Sequence, residues 1–377
     1  MKNNYIFLFC LAFVTFSAAA QPVNYLSVPG FKELANIDPA GHSVLPSGRY
    51  VTPAEKMIRI THDPFGLAIS PDQKVAITMH ENAITIIDIA TMQQKRIPEY
   101  YNKKESPLIK GSFLGVSFDT QKSLVYLSGG DEGSVIVYDY VNYKKVDSIY
   151  LDGLFNGVKY QGSFTSDLIY NAPKNELLIL DRGNFRLVRY SLAQKKITAS
   201  IPTGRQPFGL ALSPDKKTVL VANVGMYAYP IVEGTTKENI QSQYINWHPY
   251  GNNTKESIEG KVIDGKKIPG LGSPNADESM SVYVIDLATN KVKAKLKTGM
   301  LLGELVEDAE VIGGASPNSI VVGSKFAYVT NATNDNIAVI DYKKGRIVKH
   351  IPIKVDQRID KLRGLVPFGI DLTKDEK

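Results

Sequence analysis

The chain has 377 residues, 43% hydrophobic and 22% charged, with a formal net charge of +6. Its one cysteine, Cys10, excludes disulfides, thiolate metal sites, covalent haem and cysteine nucleophiles from the chain beyond it. The basic excess is mild and dispersed as turn pairs such as Lys216-Lys217 and Lys343-Lys344, with no basic block among aromatics, so nucleic acid is not an expected partner.

Residues 1–20 read as an export signal: Lys2 supplies the positive start, "YIFLFCLAFVTF" the apolar centre, and Ala18 and Ala20 the small residues before a cut after Ala20. That run is too short for a stable membrane span, and Cys10 lies inside it, away from a lipoprotein position. The expected location is therefore periplasmic or extracellular. Roughly 350 remaining residues suffice for a large core without disulfides.

A lead-in, 21–55, precedes a repeated pattern. "PFGLAISPDQKVAITMHENAITIIDIATMQQKRI" starts at Pro64, and its first strand "FGLAIS", second "VAITM", third "AITIID" and fourth "QKRIP" follow from alternation and turn chemistry. "VSFDTQKSLVYLSGGDEGSVIVYDYVNYKKVDSI" and "DLIYNAPKNELLILDRGNFRLVRYSLAQKKITASI" repeat it. "PFGLALSPDKKTVLVANVG" does so at Pro207, resuming after an interruption as "SVYVIDLATNKVKAKL", and "KFAYVTNATNDNIAVIDYKKGRIVKHIPI" closes the series. The residue ending each third strand is Asp88, Asp139, Ser191, Asp286 or Asp341, at intervals of 51, 52, 95 and 55. A period near fifty with four short strands marks a β-propeller blade. One unit carries some 43 extra residues, held within the long loop 225–279. The repeated Asp reads better as an Asx turn at the blade's edge than as catalysis, since Ser191 fills the same slot.

"YVTN" at Tyr328–Asn331 followed by "NIAVID" resembles the YVTN family of β-propeller repeats in exported bacterial and archaeal proteins, for which "PFGLALSPD" is a usual blade opening. The lead-in "LPSGRYVTPAEKMIRI" and the segment "GLGSPNADESMSVYVIDL" look like the propeller half of bacterial fusions with an alkaline-phosphatase-like phosphoesterase domain. The resemblance implies an all-β fold, a propeller of four-stranded blades over 56–377. Seven blades are expected in the intact protein and about five to six in this chain. Because "PFGIDLTKDEK" opens another blade and stops, the sequence is read as the leading part of a longer product, with an early strand near 56–60 closing the ring. The phosphoesterase motifs themselves are not in this sequence.

In such a blade the loops joining strands two to three and four to one share one face, around the channel mouth. That face collects His62, His80, Arg182 and Arg205, together with the insertion's Tyr244, Trp247, His248 and Tyr250. The arginines and histidines suit a small anionic ligand, and the aromatics a stacking platform. Each has a plainer reading: loop hydrogen bonds for the histidines, inter-blade ion pairs for the arginines, a self-packed loop for the aromatics, and a turn role for Asn223 and Asn331. No metal-ligand spacing, phosphate loop or other cofactor motif is present. The expected function is an exported binding or scaffold module, its partner the anionic ligand or a downstream phosphoesterase domain. The rival is a propeller enzyme such as a lactonase or other hydrolase acting at the mouth.

Overall fold

Runs such as "ELLILD" and "TVLVAN" are apolar almost without interruption, as a strand buried on both faces requires. The computed structural model describes residues 28–38, 41–52, 57–61, 63–80, 82–99, 106–108, 113–236, 238–239, 254–306, 309–311, 314–354 and 364–376. It divides into two compact units, 1–59 and 60–377. The first holds the hairpin Ser43–Val44 and Tyr50–Val51.

The second unit contains five four-stranded antiparallel sheets, each with its strands in chain order. Blade one is Gly66–Ile69, Val75–His80, Ala83–Asp88 and Gln94–Ile97. Blade two is Val116–Phe118, Leu124–Ser128, Ser134–Asp139 and Lys144–Tyr150. Blade three is Thr165–Asn171, Glu176–Asp181, Arg186–Ser191 and Lys196–Pro202. Blade four is Pro207–Leu212, Thr218–Asn223, Ser281–Asp286 and Lys291–Lys297. Blade five is Pro317–Val322, Ala327–Asn331, Asn336–Asp341 and Arg346–Pro352. The expected third strand Ala83–Asp88 is reproduced to the residue, and the others shift by a residue or two at their ends. Met57–Ile60, expected as an early strand, pairs with none of the described strands.

Side-chain alternation explains how the sheets assemble. Leu177 and Ile179 point into a core shared with blade two, which supplies Val135, Val137 and Ile149. Their neighbours Leu178 and Leu180 point the other way, onto Val219 and Val221 of blade four. Blade four's Leu220 and Ala222 meet Val329 and Ile340 of blade five, and Ile77 and Ile84 of blade one meet Leu127 and Ile136 of blade two. Five blades thus enclose four cores. The first strands of successive blades also touch in turn, so they form the inner wall. This arrangement is a β-propeller with its innermost strands around a central channel. Pro367–Asp371 continues the wall beside blade five, where Asn318 Nδ2 donates to the Pro367 carbonyl at 3.3 Å and Thr330 Oγ1 to the Phe368 carbonyl at 2.8 Å.

The edge turns carry the expected Asx chemistry. Asp88 Oδ1 accepts from Thr91 N, Asp139 Oδ1 from Asn142 N, Asp286 Oδ1 from Thr289 N and Asp341 Oδ1 from Lys344 N, while Ser191 Oγ accepts from Gln194 N. The turn bonds from Thr91 hold the Asp88 carboxyl below the usual range, the Asn142 side-chain amide and then its backbone N–H do so at Asp139, and an added bond from Lys293 does so at Asp286. Such carboxylates are spent on turns and do not face the channel.

Candidate functional site

The first strands of blades one to four begin at or within three residues of a phenylalanine, Phe65, Phe113, Phe164 and Phe208; blade five's has none, and Phe368 lies on the segment beside it. Their rings gather at one end of the channel. Phe113 stacks on Phe65 at 6.2 Å between centroids and meets Phe164 and Phe208 edge-on at 5.4 and 5.1 Å; Phe208 meets Phe368 edge-on at 5.7 Å. Offset and edge-on contacts of this kind are the favoured aromatic geometries. Phe65 and Phe368 remain 50% and 46% exposed, unusual for rings inside a collar. Below them lies a channel cavity of about 600 Å³ bordered by both, by Gly66, Gly209 and Asn318, and by Asp167 and Asp371.

Arg182, in the loop joining strands two and three of blade three, stands over this collar. Its Cζ lies 5.7 Å from the ring centres of both Phe113 and Phe164, within cation–π range. Gln206 Oε1 accepts from its Nε at 2.6 Å. Among the described residues no carboxylate pairs with it, and burial alone pushes its pKa down. Its neighbour Asp181 is committed elsewhere, to Arg186, Ser163 and the Phe164 N–H.

The other expected site residues are placed differently. His80 is buried at the end of a strand, its Nε2 2.9 Å from Thr78 Oγ1 and 3.0 Å from Thr85 Oγ1. It occupies the repeat position that Asp181, Asn223 and Asn331 fill in other blades, all buried, where a polar side chain ties the end of strand two to its surroundings. Asn331 Oδ1 accepts from Thr298 Oγ1 and its Nδ2 donates to Asn336, and Asn223 Nδ2 donates to the Ser281 carbonyl. Arg205 is also buried; its Nη1 donates to the carbonyls of Met226 and Ser273, at 2.8 and 2.7 Å. It clasps the two ends of the insertion, which runs between strands two and three of blade four. Lys297 adds to the clasp through the carbonyls of Ala276 and Ser279, and burial first, then Arg205, push its amine down to about 8. The described insertion holds the helix Lys255–Glu259, capped by Thr254, and the hairpin Gly260–Ile263 and Lys266–Pro269. His62, Tyr244, Trp247, His248 and Tyr250 lie outside the described residues.

Sequence reasoning passed over the phenylalanines, although their recurrence near the first strands of blades one to four was visible. It also passed over Asp167, which stands where blades one, two and four carry Gly66, Gly115 and Gly209, blade five Ser319, and the segment beside it Gly369. Asp167 accepts from Leu168 N at 2.8 Å and Leu210 N at 2.9 Å, bridging blades three and four. Part of its surface opens on the channel, yet desolvation outweighs these two donors and pushes its carboxyl up to about 7. Since the folded value exceeds the ordinary 3.8, the folded state binds the extra proton between about pH 4 and 7. The associated stability is complete below that window and lost as pH rises through 7. Urea unfolding should show the wild type losing up to about 4 kcal/mol relative to Asp167→Asn between pH 4 and 8. Parallel pH profiles for the two proteins would contradict this account.

Among the described residues, no cluster of three or more His, Cys, Asp or Glu is arranged to hold a metal ion, and no helix is long and apolar enough to cross a membrane.

Fold and site together define a β-propeller with an aromatic channel mouth beside Arg182. No family model and no curated protein matches the sequence. Among solved structures, the chain is similar to selenomethionine-substituted virginiamycin B lyase from Staphylococcus aureus, at 11% identity and a TM-score of 0.47 over 84% of this chain and 78% of that one. A likeness at that level says nothing of activity.

Proposed function

We propose that this chain is an exported binding module whose ligand enters at the phenylalanine mouth of the channel. The observation that carries the reading is the collar itself: the half-buried Phe113, Phe164 and Phe208 join the exposed Phe65 and Phe368, which border the channel cavity, beside a guanidinium that no described carboxylate neutralises. Exposed apolar concavities with a few directed polar groups are how small-molecule sites are generally built. Several carboxylates that might suggest hydrolysis are engaged in turns, in the Asp181–Arg186 pair and in the Asp167 bridge, which leaves Asp371 as the exposed carboxylate on the cavity wall. The reading includes carriage beside a phosphoesterase domain, the arrangement that the resemblance of the lead-in "LPSGRYVTPAEKMIRI" and of "GLGSPNADESMSVYVIDL" implies.

Two measurements test this. The purified protein should turn over neither γ- and δ-lactones nor p-nitrophenyl phosphoesters, and saturable turnover would favour the mouth hydrolase instead. Compounds detected by saturation-transfer NMR should lose their signal in a Phe113→Ser, Phe208→Ser double variant that still melts cooperatively. Binding that survives there, or that perturbs only the Pro-Asp-Lys turns of the opposite face, would place the site elsewhere.

A further inference from the structure

We propose that the mouth site takes a small ligand in which a carboxylate is carried on an apolar, preferably aromatic, body. This rests on the mouth-binding reading above and adds the chemistry of the ligand. Arg182 presents a planar set of donors, of which Nε is used by Gln206; that single bond fixes the plane and leaves the Nη donors without a hydrogen-bond partner among the described residues. A guanidinium half-buried over two phenylalanine rings has lost much of its hydration, so an incoming carboxylate meets a fork ready for paired hydrogen bonds at low desolvation cost. Arg205 does not share this role, because its Nη1 is engaged by the insertion's carbonyls.

The collar decides the rest of the molecule. Phe113, Phe164 and Phe208 already meet edge-on, so a further ring extends a packing the site has built for itself. A bare, strongly hydrated anion such as inorganic phosphate gains nothing from these rings. An ammonium ligand leaves Arg182 opposed by a like charge.

Three matched probes separate the contributions: phenylacetate, 2-phenylethanol and 2-phenylethylammonium, titrated by calorimetry and followed by NMR. Phenylacetate should bind at least tenfold more tightly than the other two and should shift the guanidinium resonances of Arg182. Arg182→Gln should weaken phenylacetate at least tenfold while leaving 2-phenylethanol unchanged, a split that a merely structural Arg182 would not produce. If the three probes bind alike, lose affinity together in Phe208→Ser and ignore Arg182→Gln, the carboxylate assignment falls and the mouth remains the site. If none binds, or if Phe113→Ser with Phe208→Ser leaves phenylacetate affinity intact, both the ligand chemistry and the mouth reading are overturned.

Discussion

Replacing Arg186 by Met should cost the protein about 3–5 kcal/mol in urea unfolding, the range for removing one member of a buried ion pair. Arg186 and Asp181 have side-chain exposures of 2% and 0%, with Nε to Oδ2 at 2.7 Å. The carboxylate is further bonded by Ser163 Oγ, Phe164 N and Asn184 Nδ2, and Arg186 Nη2 donates to the Leu151 carbonyl at 2.8 Å. Nη1, which has no hydrogen-bond acceptor among the described residues, belongs to a guanidinium whose Cζ sits 3.5 Å from the centre of the Tyr160 ring. In Arg186→Met the Asp181 carboxylate stays buried without its cation, which is the expensive state. The double variant Asp181→Leu, Arg186→Met should recover much of the loss, because an apolar pair removes the stranded charge. A single-variant loss below 1 kcal/mol, or a double variant weaker than the single, would contradict this assignment. Phenylacetate affinity should fall with Arg186→Met as well, since Asp181 adjoins Arg182 and anchors its loop.

Gly209→Ala should be the most damaging one-methyl change among the inner-strand glycines. A Cβ there would lie 2.0 Å from the Asn318 carbonyl oxygen of blade five, and that oxygen belongs to a backbone that cannot swing aside. Overpacking a fixed contact costs about 1–3 kcal/mol and sometimes more; the upper end applies here because the obstacle is main chain. Gly369, at the same repeat position, has nothing within 4 Å of its built Cβ, so Gly369→Ala should be neutral or slightly stabilising. Equal melting temperatures for the two variants would show that the inner wall yields, and that close approach of first strands is not what selects glycine.

These two sites mark the limit of what a single sequence exposes. The blade was legible because its strands alternate, its edge turns need Asx residues, and its period repeats; Asp88, Asp139, Asp286 and Asp341 bond the turns that were expected of them. The functional sorting of the mouth was less legible. His80 looked like a loop candidate, yet it belongs to the buried column shared with Asp181, Asn223 and Asn331. That column becomes visible only when strand pairing aligns the repeats. Arg182 and Arg205 are alike in sequence, but the first stands over phenylalanines and the second is consumed by the insertion's carbonyls.

By itself, then, the sequence determined the local chemistry: strand length, turn type and the two-sided burial of runs such as Leu177–Leu180, each set by interactions within a few residues or by hydrophobicity alone. Tertiary structure decided which side chains converge. Phe65, Phe113, Phe164, Phe208 and Phe368 are separated by tens of residues, and the alternation of a single strand is the same whether a ring turns to an inter-blade core or to the channel mouth. Only the stacking of blades around the channel brings those rings together. The same stacking gives Asp167 its raised carboxyl, because the desolvation that causes it comes from neighbouring blades and is absent from the residue's own stretch of chain.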